Sequence, residues 1–163
     1  MIIRFWLLDV NSEVKDGKSE VWLWGIEDSG KRVLIIHRGF LSYFYAVAKE
    51  EADPSLIVQK IGEGDFPFVA GLEIVDRKLF GRSVKAVKVY CKDPNVIPKY
   101  ARILRDFEGV KDCFEDDVRY AMRYLIDNNV IPCTWHEIEV EEEANLLGIE
   151  VDTVYLAKKP PTT

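Results

Sequence analysis

The stretch GLEIVDRKLFGRSVKAVKVYCKDPNVIPKYARILRDFEGVKDCFE, residues 71–115, decides the fold. It reads as strand, turn, strand, helix, strand. The runs 71–80 and 82–91 are rich in β-branched residues and meet at Gly81, a hairpin signal. Next, DPNVIPKYARILRDF places apolar residues at Val96, Tyr100, Ile103, Leu104 and Phe107. Their spacing of i, i+4, i+7, i+8 and i+11 is one buried helical stripe. VKDCFE follows as a strand. Upstream, YFYAVAK (43–49) reads as a strand, and DPSLIVQKIG as a short helix capped by Asp53, opened by Pro54 and closed at Gly62. The order over 43–115 is therefore β-α-β-β-α-β, the ferredoxin-like split βαβ arrangement.

Outward from this unit, IIRFWLLDV, SEVWLWGIE and KRVLIIHR read as three antiparallel strands separated by turn-rich NSEVKDGK and DSGK. On the other side, DDVRYAMRYLIDNNVIP (116–132) reads as a helix capped by Asp116 or Asp117 and stopped by Asn residues and Pro132. Val118, Ala121, Met122, Leu125 and Asn129 are expected to pack inward, leaving Arg119 and Arg123 on one ridge and Tyr120 and Tyr124 on another. Beyond it, WHEIEVEE and DTVYLAK supply one or two strands, and KKPPTT resists regular structure. The expected fold is α+β: an antiparallel three-stranded meander, a ferredoxin-like βαββαβ unit and a C-terminal helix.

The 163 residues are 48% hydrophobic and 12% aromatic, which supports a packed core. No apolar run approaches the ~18 residues of a membrane span. MIIRFWLLDV carries Arg4 and Asp9 and no small-residue cleavage site, so it reads as a first strand, and cytoplasmic is the expected location. Cys91, Cys113 and Cys133 form no CxxC pair and are expected to be buried free thiols. Net charge is −6. Yet between Arg77 and Arg105 nine basic residues face Asp93 alone, a local +8 that leaves −14 elsewhere. That block is either an anion-facing surface or the solvated side of a strand pair and helix. EIEVEEE (137–143) reads as a solvated segment.

Catalytic patterns are missing. His37 and His136 stand in no HExxH context, and neither Ser42 nor Ser83 belongs to a GxSxG motif. GEGD (62–65) lacks the phosphate-loop pattern, and Asp116 with Asp117 suits capping better than a two-metal site. A binding reading finds more, because ferredoxin-like sheets carry single-stranded nucleic acid on aromatic residues and cations. Phe40, Tyr43, Phe44 and Tyr45 cluster in FLSYFYAV, with core packing favoured for Phe40, Phe44 and Tyr45, since a strand must turn one face inward. No RNP-type signature is present.

FWLLDV, YFYA, LFGRSVKAVKVY, DPNVIPKYARILRD and above all GVKDCFEDDVRYAMRYLIDNNVIP resemble the N-terminal domain of archaeal family B DNA polymerases over residues 5–132. The resemblance implies residues 1–132 as that domain and 133–163 as the start of a connection toward an exonuclease domain. It implies contact with single-stranded template DNA ahead of the polymerase site, and a pocket for deaminated bases, uracil and hypoxanthine. By position that pocket is Tyr43, Pro94, Ile97, Pro98, Val118, Tyr120 and Arg123. Ile97 and Pro98 would be apolar walls off the helix's buried stripe. Arg123 would meet a phosphate or brace the pocket, and Arg119, Lys88, Lys92 and Lys99 would face the DNA backbone. Three positions depart from the pattern. Ser12 replaces an aromatic residue, Ser42 a proline beside Tyr43, and Arg119 a proline beside Tyr120.

The family's exonuclease Asp-x-Glu motif and its palm aspartates do not occur in the sequence, so the chain is expected to be inactive alone. It would be a domain separated from a longer polymerase or a small split-off relative. No cofactor is expected here, although the parent would use Mg2+. Expected partners are template DNA and the remaining polymerase domains, with no membrane. The alternative is a free-standing ferredoxin-like nucleic-acid or protein interaction module.

Overall fold

The computed structural model describes Met1–Thr163. Two units emerge. One comprises Met1–Phe40 with Arg119–Thr163, the other Leu41–Val118, so the second lies within the sequence of the first.

The first unit is a closed five-stranded barrel. Its strands are β1 (Ile2–Lys15), β2 (Lys18–Glu27), β3 (Arg32–Arg38), β8 (Trp135–Glu143) and β9 (Thr153–Ala157), in the order β1-β2-β3-β9-β8. All pairs are antiparallel except β3 with β9. This is the five-stranded barrel architecture of OB folds. The expected meander is present, and residues 133–163, where one or two strands were expected, supply β8 and β9, which close it. Even Thr162 in the terminal KKPPTT bridges to Glu137. Closure leaves the meander no unpaired edge.

Strand alternation gives this barrel two apolar faces. Val21, Leu23, Val33, Ile35, Tyr155 and Ala157 point inside, with Phe5, Leu7, Ile138 and Val140. Trp22, Leu34, Ile36 and Val154 point outside, where Ile149 and Val151 of the β8–β9 connection pack on them with Trp24 and Leu156. Hence β2 and β3 are buried almost continuously. OB folds commonly bind oligonucleotides on the strand 2–3 face. Here the chain's own β8–β9 connection packs on that face.

The helix α3 (Tyr120–Asp127) belongs to the barrel core and is one turn shorter at its start than expected. Arg119 is its N-cap, with no side-chain capping bond. Asp116 instead accepts a 3.1 Å hydrogen bond from Arg105. The inward residues are Tyr120, Arg123 and Tyr124, while Met122 and Ile126 are exposed. The expected inward stripe is thus corrected in part: Tyr120 and Tyr124 join the barrel core, Leu125 packs against it, and Met122 turns out. The Tyr124 hydroxyl shares a 2.6 Å hydrogen bond with His37 Nδ1, and Tyr120 donates to the Phe40 carbonyl.

His136 is also buried. Its Nε2 accepts from Ile131 N–H at 3.3 Å, and Nδ1 lies 3.1 Å from the Thr134 carbonyl, which fixes the tautomer with the proton on Nδ1. Burial holds both histidines below the usual imidazole range, against a smaller upward pull from backbone partners. A depressed histidine resists protonation in the folded chain. Its stabilisation is complete above the unfolded value of about 6.5 and is lost as pH falls below it. Glu27 behaves likewise at lower pH. Hydrogen bonds from Ser29 (2.6 Å) and then Tyr155 (2.7 Å) hold its carboxyl below the usual range. Calorimetric Tm should fall in two stages, first from about pH 6.5 downward and again below about pH 4. His37→Gln should flatten the first stage, and an unchanged slope removes His37 from the explanation.

The second unit is a four-stranded antiparallel sheet of order β5-β6-β4-β7: β4 (Ser42–Ala48), β5 (Val69–Leu79), β6 (Arg82–Cys91) and β7 (Val110–Phe114). Helices α1 (Pro54–Glu63) and α2 (Ile97–Arg105) cover one face. The sequence order is β-α-β-β-α-β, as expected. Asp53 caps α1 by accepting from Ser55 N at 3.0 Å. Phe44, Ala46, Val87, Val89 and Cys91 meet Ile57, Ile61, Tyr100, Ala101 and Leu104 in the core. Cys91 and Cys113 are buried, and burial pushes each thiol up to about 12. Cys133, expected to be buried, is exposed, because the chain turns through a left-handed residue there (φ 60°) on its way into β8.

Candidate nucleic-acid interface

With one sheet face packed on helices, the alternate residues of β4, β5 and β6 form the opposite face. Register sets Tyr43 opposite Tyr90, and Tyr45 opposite Lys88. Glu73 lies opposite Lys88 on its other side. The Lys88 ammonium sits 4.0 Å from the Tyr43 ring centre and 4.9 Å from that of Tyr90. Tyr43 meets Tyr45 and Tyr90 edge-on, at 5.6 and 5.8 Å. The Arg77 guanidinium lies 5.4 Å from the Tyr45 ring and donates to its hydroxyl at 3.5 Å. Tyr90 donates to Glu73 at 3.0 Å. Tyr43 is the buried base of the cluster, Tyr45, Lys88 and Tyr90 are half-buried, and Arg77 is exposed.

This arrangement offers ring faces to stack bases and cations to meet phosphates. Of the residues expected from sequence, it brings together Tyr43 and Lys88. Tyr45, expected in the core, belongs to this face instead, because Phe44 and Ala46 take the inward positions. Tyr90 and Arg77 carried no expectation as site residues. The missed signal was parity: Tyr43, Tyr45, Lys88 and Tyr90 are alternate positions on two paired strands.

The remaining expected residues fall in both units. Ile97 is corrected, since it is 4% exposed and packs in the core as the first residue of α2, in step with Tyr100, Ala101 and Leu104. Ile103, expected in that stripe, is 38% exposed, and Ala101 takes the inward place. Pro98 and Lys99 are exposed on α2, on the helix-covered side of the sheet rather than with Lys88. Lys92 is exposed just beyond β6, and Pro94 and Val118 are half-buried. Arg119, Tyr120 and Arg123 belong to the barrel unit. Arg119 is exposed. Tyr120, at 5% exposure, fills the barrel core with its hydroxyl engaged and raised well above the usual phenol range by burial. Arg123 is 4% exposed and is not on a solvent-facing ridge with Arg119.

No group of three or more His, Cys, Asp or Glu side chains is arranged to hold a metal ion. No helix is long and apolar enough to cross a membrane.

No protein-family model matches the chain. It is 31% identical over 157 residues to DNA polymerase 2 of Aeropyrum pernix, covering 94% of this chain and 19% of that protein. With DNA polymerase 3 of Saccharolobus shibatae it shares 32% over 159 residues, covering 98% and 20%. The solved family B DNA polymerase of Pyrobaculum calidifontis superposes with a TM-score of 0.80 at 35% identity, covering 96% of this chain and 20% of that one. The chain spans about one fifth of the length of these relatives.

Proposed function

Because the chain belongs with the N-terminal region of archaeal family B DNA polymerases, we propose that it is a non-catalytic template-binding element of such an enzyme. It would hold single-stranded DNA on the sheet face of its second unit. The observation that carries this reading is the Lys88 ammonium held over Tyr43 and Tyr90 beside Tyr45 and Arg77. Bases would stack on Tyr45 and Tyr90, with phosphates near Lys88 and Arg77. The acidic balance of the rest of the chain would confine DNA to this region. Template DNA and the other polymerase domains are the partners this reading supplies.

Titration of a fluorescein-labelled oligothymidylate measures it. Lys88→Gln should weaken binding about fivefold and reduce the slope of log affinity against log salt by about 0.7, one phosphate contact on a single strand. A wild-type slope and affinity in Lys88→Gln would refute this face as the interface. Deaminated-base capture is the finer reading, with Tyr43 as its contact on this face. Placing one uracil in the strand tests it, and equal affinity with and without uracil sinks it. The same preparation, given primed DNA, Mg2+ and nucleotides, should neither extend nor degrade the primer.

A further inference from the structure

β5 and β6 pair through Leu79↔Arg82, but β4 follows β6 only as far as Ala86. The last four rungs, Asp76↔Lys85 to Leu79↔Arg82, therefore form a two-stranded arm beyond the four-stranded sheet. Each rung adds about 3.3 Å, so the arm reaches about 13 Å. Its tip is a two-residue turn, Phe80-Gly81, with φ of 51° and 79°. Two positive values in a two-residue hairpin loop mark the turn that favours Asn or Asp before Gly, because a side chain with a full Cβ substituent is strained there. Phe80 nevertheless occupies it, and the ring is 94% exposed. Neither backbone preference nor burial accounts for a phenylalanine in that place.

The arm's charge is equally one-sided. Arg77, Lys78, Arg82 and Lys85 stand on it against Asp76, which Lys85 already pairs at 2.5 Å. Parity puts Arg77 and Arg82 on the same side of the sheet as Lys88 and Tyr90. The tyrosine face thus continues along the arm, through two arginines, to the exposed ring. Six rungs separate Glu73↔Lys88 from Leu79↔Arg82, about 20 Å, or about six stacked nucleotides.

We propose that Phe80 is a base-stacking wedge for single-stranded DNA, its ring inserting against the bases of a strand whose phosphates the arm's arginines and lysines neutralise. This rests on the template-binding reading of the adjoining face. The wedge explains why the turn tolerates a strained Phe80, since such strain persists where function uses it.

Phe80→Asn separates the two roles. It installs a residue the turn favours, so Tm should rise, while affinity for a twelve-nucleotide single strand should fall about tenfold. The salt slope should not change, because no charge is removed. An oligonucleotide carrying 2-aminopurine should lose fluorescence on binding the wild-type chain and recover it with Phe80→Asn, and Phe80→Trp should restore the quenching. Unchanged affinity and quenching in Phe80→Asn, alongside weakened binding by Lys88→Gln, would overturn the wedge alone. Absence of single-strand binding by the unaltered chain would overturn both readings.

Discussion

Tyr124→Ala should cost the chain about 3–5 kcal/mol of stability, read as a fall in the denaturant midpoint of the barrel. Tyr124 is fully buried and lies in the barrel core with Phe5, Leu7 and Tyr120. Phe40 meets its ring edge-on at 5.2 Å. Truncation removes the ring from a closed barrel, whose paired strands cannot collapse inward to fill the space. It also strips His37 Nδ1 of its 2.6 Å partner in a buried site. Tyr124→Phe isolates that second loss, keeping the ring while leaving the nitrogen unsatisfied, for about 1–2 kcal/mol. Should the alanine variant unfold within about 1 kcal/mol of the unaltered chain, α3 would not be a part of the barrel core in solution.

Gly25→Ala is the second large effect. A Cβ on Gly25 would stand 2.5 Å from the Trp6 carbonyl oxygen and 2.8 Å from Phe5 Cδ2. The first of these is backbone, so no rotamer relieves it. β1 and β2 are also out of simple register here, with a bulge between Leu7 and Asp9, and the strands would have to part. We expect about 3 kcal/mol of destabilisation, at the upper end for overpacked sites. Gly62 in α1 is the contrast, since a Cβ there meets nothing within 4 Å. Gly62→Ala should stabilise by about 0.5–1 kcal/mol, because alanine is the better helix former. Similar melting curves for the two variants would contradict the steric account.

Much of the second unit was legible in sequence because its determinants are local. Gly81 marked the hairpin, Asp53 the cap of α1, and the apolar spacing of 96–107 the helix that lies on the sheet. The barrel was not legible as a barrel. Its closure depends on Ile2 finding Glu139 and Val33 finding Thr153, pairings that no local period encodes. The inward side of α3 was misjudged for a related reason. What Tyr120 and Tyr124 bury against is an interior that exists only once β8 and β9 are in place.

At the candidate interface, Tyr43 and Lys88 were reached from sequence. Tyr45 and Tyr90 were not, because an aromatic strand such as YFYA fits either orientation until the helices choose a side. Ile97 illustrates the converse. Its place in the first helical turn suggested exposure, and only the position of α2 over Phe44 and Val89 turns it into core.

The placement of residues 41–118 within the barrel's sequence has a consequence for synthesis. β1, β2 and β3 leave the ribosome first, yet β3 waits for β9 and β1 for β8, more than a hundred residues later. At ~5–20 residues per second, about 6–24 s pass with a sticky three-stranded ribbon bearing two open edges. The contiguous second unit can complete its own sheet in that interval. The order of folding is then set by connectivity: the later-starting unit matures first, and the first-made strands are the last to be protected from aggregation.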